Sequence, residues 1–289
     1  MKAKDNIMIK RNFYPGDEWL YFKIYLHFNV ANKVLAKVIL PFVKSMKRKR
    51  IIDEWFFIRY NDPGFHLRLR LHLIDKNSYG DIITSLNNKL KRYINDGFIN
   101  KITIDTYVRE AERYGGNDII NCEHFFCDDS KLIAEIVAHD TGGNDTDRIL
   151  TAIALCNCLL YSYSENINEQ EKIISRIYDN FSGKINSKSV NEIYRDMRKK
   201  IEDILPYDNS LSIIRRKSQD NKYNGDNLIA ISDKTAVISS LIHMRMNRYF
   251  TNNPNLYEAI VYYMLSKALK SLLARNLISN DINTNLFNN

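Results

Sequence analysis

The residues best suited to chemistry lie in the stretch Trp55–Leu73, WFFIRYNDPGFHLRLRLHL. In its second half His66, Arg68, Arg70 and His72 alternate with Leu67, Leu69, Leu71 and Leu73. Period-two alternation belongs to a strand with one buried face, because successive side chains point to opposite sides of a sheet. Such a strand presents two guanidiniums flanked by two imidazoles, with Arg68 and Arg70 roughly 7 Å apart. Always-charged forks set side by side repel each other, so the pairing suits a site that receives a carboxylate or phosphate. A merely solvated basic face is the competing reading from spacing alone.

A second candidate is His243, in SSLIHMRMNRYF. The helix that carries it is expected to begin near Asp233, a good N-cap, and to bury Val237, Ile238, Leu241, Ile242 and Met246. His243 shares a face with Asn247 and with Ser239. Spacing alone favours a satisfied structural histidine over a catalytic one. No metal set emerges: HExxH is absent, and the spacings of Cys122, Cys127, Cys156 and Cys158 match no common zinc pattern. Reduced thiols are expected. Walker, GxGxxG and serine-hydrolase signatures are also missing.

The elements that must position these residues follow from periodicity. Residues 18–28 alternate as cleanly as the arginine stretch, with Leu20, Phe22, Ile24, Leu26 and Phe28 on one face and Trp19, Tyr21, Lys23, Tyr25 and His27 on the other. That is a second strand of the same sheet, and it places His27, like His66 and His72, on a strand. Helix periodicity over Ala31–Lys47 is interrupted at Pro41, which should kink or restart it. A surface helix over Asp81–Tyr93 and a strand over Ile102–Val108 come next. Helical segments are expected near 118–139, 146–163, 169–180, 188–204, 233–250 and 255–276, with a mobile polar loop over Arg216–Asn227. Strands first and helices later give an α+β fold, an antiparallel or mixed sheet packed with helices. One domain over 1–289 is expected: strand-rich over 13–116, helical over 117–278, frayed over 279–289.

The chain is long enough to bury a full core, and its formal net charge of +8 favours acidic partners. No apolar run approaches the roughly 20 residues a membrane span needs, and the N-terminus lacks a signal-peptide core. A cytoplasmic location is the default expectation.

Taken together, several stretches resemble the C-terminal, glutamate-elimination part of lantibiotic dehydratases, a module also found alone in thiopeptide biosynthesis. They are PGDEWLYFK at 15–23, WFFIRYNDPGFHLRLR at 55–70, REAERYGG at 109–116, Glu123-x-x-Phe126-x-x-Asp129-Ser130, and SLIHMRMNR at 240–248. They run in the family's order from about residue 13 to about residue 275. The resemblance implies elimination of glutamate from a glutamylated Ser or Thr of a precursor peptide, leaving dehydroalanine or dehydrobutyrine. It maps the family's elimination residues onto Arg68, Arg70, Glu110, Arg113 and His243. We expect His243, Arg68, Arg70 and Arg113 as catalytic residues and Glu110, His66 and Asn247 as substrate contacts, with no cofactor. Glu110 also reads as a structural acid if the strand before it continues.

The implied partners are a precursor peptide with an acidic leader, a separate glutamylation protein, for which 289 residues leave no room, and a possible second copy of the chain. A divergent branch of the family instead closes a pyridine ring by a formal [4+2] cycloaddition of two dehydroalanines. A non-catalytic subunit that binds the leader peptide is a further alternative.

Overall fold

In the computed structural model, which describes residues 9–140, 142–228 and 230–286, the alternating stretches pair into one antiparallel sheet. After a short strand β1 (Asn12–Phe13) come β2 (Trp19–Leu26), β3 (Ile52–Asn61), β4 (Phe65–Leu73) and β5 (Ile99–Asp105), in the spatial order β3-β4-β2-β5. The arginine strand is therefore central, paired with β3 on one side and β2 on the other. Leu67, Leu69, Leu71 and Leu73 are all buried on one face. Each contributes roughly 1.5–3 kcal/mol by leaving water, enough to fix the register that aims the arginines to the other face.

Helices cover the leucine face. Arg59, which lies opposite Leu67, donates Nη2 to Asn32 Oδ1 at 2.7 Å. Asn32 belongs to α1 (Phe28–Val34), which passes through a π turn (Leu35–Ile39) into α2 (Leu40–Arg48). The expected interruption at Pro41 is thus a widened turn rather than a break. Pro41 has no N–H for the carbonyl of Lys37, and Leu40 reaches back five residues to Leu35 O instead. His27 is not on a strand; it is the N-cap of α1, its Nδ1 accepting from Asn29 N at 3.4 Å. The following helix α3 (Tyr79–Asn95) buries Ile82, Leu86 and Leu90, one face at helical spacing.

The strand expected over Ile102–Val108 is divided. Asp105 Oδ1 accepts the N–H of Thr106 at 2.8 Å, which turns the chain out of the ladder. Tyr107–Val108 forms β6 and pairs with β1 in a separate two-stranded sheet. Helix α4 (Ile119–His139) follows, and its Ser130 Oγ accepts from Phe57 N of β3 at 3.1 Å.

The chain divides into two compact units. The first is Met1–Ala138 with Ile229–Ser240, and the second is His139–Leu228 with Leu241–Asn289. The second unit is helical: α5 (Asp145–Tyr163), α6 (Ile167–Asp179), α7 (Ser187–Ile204), α8 (Tyr207–Ser218), most of α9 (Lys234–Tyr249) and α10 (Pro254–Leu286). Asn144, Asn166 and Asn186 cap the starts of α5, α6 and α7 with their side-chain oxygens. Asp233 Oδ1 accepts from Ala236 N at 3.0 Å at the start of α9, where a cap was expected.

The polar run Arg216–Asn227 is not a free loop. It begins inside α8, and beyond that helix it is tied down by Arg215 Nε to Tyr223 O at 2.7 Å and by a buried ion pair between Asp226 and Arg245. Of the tail expected over 279–289, residues 287–289 lie outside the described residues and the rest continue α10. The architecture is α+β, and no helix among the described residues is long and apolar enough to cross a membrane.

Candidate active site

Strand register sets what surrounds the arginines. Arg70 lies opposite Tyr21 of β2 and Phe56 of β3, and Arg68 opposite Lys23 and Ile58. The Arg70 guanidinium carbon sits 4.4 Å from the Tyr21 ring, 4.7 Å from Tyr107 and 5.0 Å from Phe56. Arg70 is only 7% exposed, and its Nε has no hydrogen-bond partner. No carboxylate among the described residues forms an ion pair with it. Ring faces attract a cation by about 1–2 kcal/mol each when desolvated, but they do not replace its hydration. Arg70 is therefore not a solvated cation: it is caged by rings and has no counter-ion among the described residues.

Arg68 is half-buried and stacks on Tyr60, 3.5 Å from the ring centroid, while its Nε donates to His66 Nε2 at 3.2 Å. His66 has no exposed surface, and Gly64 O lies 2.7 Å from its Nδ1. Burial holds its pKa below the ordinary histidine value, more than the Gly64 carbonyl raises it. A further cation on this face is Lys23, paired with Asp105 of β5. The bond to Lys23 holds the Asp105 carboxyl below the usual carboxylate range. His72, at the far end of the strand, is bound to Asp53 at 2.7 Å.

Tyr107, one wall of the Arg70 cage, is braced from behind. Its hydroxyl donates to Glu123 Oε1 at 2.5 Å, and Arg109 grips the same carboxylate with Nε at 2.7 Å and Nη2 at 2.6 Å. Glu123 is 2% exposed, so this is a buried, bidentate pair. Burial and the neighbouring carboxylate push the Tyr107 phenol well above its ordinary value.

Glu110 and Arg113 stand apart from that cluster. Glu110 does not continue a strand: β5 ends at Asp105 and β6 at Val108, and Glu110 stands just before a short 3-10 turn, Ala111–Tyr114, with no capping bond from its side chain. Its carboxylate is 63% exposed and accepts from Arg113 Nη1 at 3.2 Å. Arg113 Nε also donates to Ser240 Oγ at 3.3 Å. No hydrogen bond or ion pair joins either residue to Arg68 or Arg70 among the described residues.

His243 and Asn247 belong to the second unit, half-buried one turn apart on α9. His243 Nδ1 lies 2.8 Å from Glu258 Oε2, and Tyr262 OH reaches the same oxygen at 3.3 Å. Glu258 has no exposed surface, whereas 31% of the His243 side chain is exposed. The carboxylate accepts the Nδ1 proton, which leaves Nε2 as the basic nitrogen. Glu258 was missed in the sequence. Its one signal was an acid amid the buried stripe Ala259, Val261, Tyr262 and Leu265 of α10. No group of three or more His, Cys, Asp or Glu side chains among the described residues could hold a metal ion.

The family model for the lantibiotic biosynthesis dehydratase C-terminus matches residues 19–269. The chain belongs to that family. The chain is 29% identical over 277 residues to the nisin biosynthesis protein NisB of Lactococcus lactis subsp. lactis, an alignment spanning 91% of the chain and 26% of NisB. It shares its fold with the tRNA-dependent lantibiotic dehydratase MibB from Microbispora sp. 107891, with TM-score 0.61 and 18% identity, covering 90% of the chain and 29% of MibB. It likewise shares it with the pyridine synthase TbtD from thiomuracin biosynthesis, with TM-score 0.60 and 11% identity, covering 88% of the chain and 98% of TbtD. The family member thus spans about a quarter of NisB's length.

Proposed function

We propose that this chain eliminates glutamate from a glutamylated serine or threonine of a precursor peptide, leaving dehydroalanine or dehydrobutyrine. The observation that carries the reading is Arg70: a guanidinium 7% exposed, held by three rings, with an unpartnered Nε and no carboxylate of its own. A buried polar group left unpaired calls for an explanation, and an anionic substrate group supplies one.

The chemistry asks for the residue types found. The α-proton is poorly acidic, so a positioned base must take it, and His243 Nε2, oriented through Nδ1 by Glu258, is suited to that. The Cα–H electrons form the carbon–carbon double bond, the Cβ–O bond breaks, and glutamate departs as a carboxylate. Charge develops on the peptide carbonyl and on the leaving group, where pre-placed arginines act most strongly. Arg68, Arg70 and Arg113 take that role, and Glu110 pairs with the glutamyl ammonium. In the same reading a separate glutamylation protein supplies the ester, and the net charge of +8 favours an acidic leader. A second copy of the chain and a cytoplasmic setting complete it.

Ring-forming cycloaddition is the rival within the family, and the tyrosines on the arginine face, Tyr21, Tyr25 and Tyr60, are the feature on its side. Parallel incubations, followed by mass spectrometry, separate the readings. Elimination converts a glutamylated peptide and leaves a peptide with two dehydroalanines unchanged. Cycloaddition does the reverse. Tight binding of unmodified precursor with no conversion of either substrate indicates a peptide-binding subunit.

A further inference from the structure

His66 sits on the arginine face but has no exposed surface with which to meet a substrate. Its contacts define its protonation. Gly64 O, 2.7 Å from Nδ1, can only accept, so Nδ1 carries a proton. Arg68 Nε can only donate, so the His66 Nε2 at 3.2 Å from it must be the lone-pair nitrogen. The ring is therefore neutral and in a single tautomer, between the Tyr25 ring at 4.5 Å and the Tyr60 ring at 5.6 Å. Tyr60 in turn bears the Arg68 guanidinium at 3.5 Å. One aromatic layer and one imidazole nitrogen thus hold the guanidinium plane and its Nε edge, leaving the four Nη hydrogens to point elsewhere.

We propose that His66 is a positioning residue: as a neutral acceptor fixed by the Gly64 carbonyl, it aims the Nη edge of Arg68 at the substrate anion. Resting on the elimination reading for the identity of that anion, the assignment moves His66 from substrate contact to orienter. Protonation would set N–H against N–H and release Arg68. The surroundings oppose protonation: burial, Arg68 and Lys23 all disfavour the charged ring, with the Gly64 carbonyl and Asp62 on the other side. From the neighbouring strands the facing groups are Tyr25 and Tyr60, and Lys101 Nζ lies 5.5 Å from the Tyr25 ring centroid.

The test reads Arg68 directly. In a ¹⁵N-labelled protein the Arg68 Nε–H signal is assigned by its loss in Arg68→Lys. At about pH 8 it should be protected from exchange in the wild type, and the protection should survive through the ordinary histidine value of about 6.5 and vanish only at more acid pH, because burial, Arg68 and Lys23 keep the ring neutral. His66→Phe should abolish protection at every pH, whereas His66→Gln, whose amide oxygen can accept the same hydrogen, should keep it and lose the acid dependence. Glutamate release at about pH 8 should fall roughly tenfold or more in His66→Phe and be largely restored in His66→Gln. If His66→Phe does not fold, the pH dependence in the wild type decides alone. An Arg68 signal indifferent to acid, or unchanged in folded His66→Phe, overturns the assignment. Absence of glutamate release from the wild type refutes elimination while the exchange data still decide the role of His66.

Discussion

His243 Nδ1 and Glu258 Oε2 are 2.8 Å apart, a half-exposed imidazole on a carboxylate with no exposed surface. That relationship makes Nε2 the working nitrogen and gives Glu258 a task no solvent group can take over. His243→Ala should slow glutamate release by about 10²–10⁴-fold, the usual contribution of a general base, with the glutamylated peptide accumulating. Glu258→Gln should produce a loss of about 10²-fold or more through misorientation of the ring. Melting temperatures measured on the same samples separate this from a structural role, in which activity survives wherever the fold does.

Arg70 should show a trade of stability against function. A buried cation without a counter-ion is destabilising, and a thioether suits the ring-lined space it occupies. Arg70→Met should therefore raise folding stability, by about 1–2 kcal/mol, and abolish turnover. Arg68→Lys and Arg70→Lys keep the charge but lose the planar fork, and both should cripple turnover with the fold intact. Urea unfolding beside a glutamate assay checks each variant. A destabilised Arg70→Met would mean that the cage, rather than a substrate, is what the guanidinium serves.

Glu123 should be the most fold-critical acid of the first unit. Removing its charge leaves the largely buried Arg109 guanidinium without a carboxylate and replaces one of its acceptor oxygens by an NH2 donor. Glu123→Gln should cost about 3–5 kcal/mol, the range for breaking one half of a buried pair. Chemical denaturation measures this, and the double variant Glu123→Gln, Arg109→Met should recover part of the loss.

Asp118 gives the first unit an acid-sensitive tie. Its carboxylate accepts from Ser232 N at 2.9 Å, Asp233 N at 3.1 Å and Ser232 Oγ at 3.0 Å. Burial pushes its pKa up, but these bonds outweigh burial and hold it below the usual value. A carboxyl depressed in the folded state contributes stability above its unfolded pKa, near 3.9, that is lost as pH falls through the folded one. Asp118→Ala should cost about 1–3 kcal/mol at neutral pH and flatten the acid limb of the stability profile. An unchanged acid limb in thermal melts would remove Asp118 from this role.

The arginine strand was legible because alternation is a local property: leucines in and cations out can be read from HLRLRLHL alone. Register is not local. That Tyr21 and Phe56 flank Arg70, and that Tyr107 comes from another sheet to close the cage, depends on pairings no single stretch encodes. Thr106 was read as strand because its neighbours favour strands, and the Asp105 side chain overrode them. Helix α8 was not among the expected helices, and its last residues, Arg216–Ser218, read as the start of a polar loop. Spacing showed His243 only as a histidine on a helix face, and the family resemblance alone pointed to it as catalytic. Its chemical meaning comes from Glu258, contributed by the next helix.

The central claim is elimination, and the fate of one proton tests it most directly. A peptide carrying a single glutamylated serine with deuterium at Cα is incubated with the protein, and both products are weighed by mass spectrometry. Elimination yields a dehydroalanine peptide that has lost the deuterium, with free glutamate in equal amount. A peptide returned with its glutamate and its deuterium in place would contradict it.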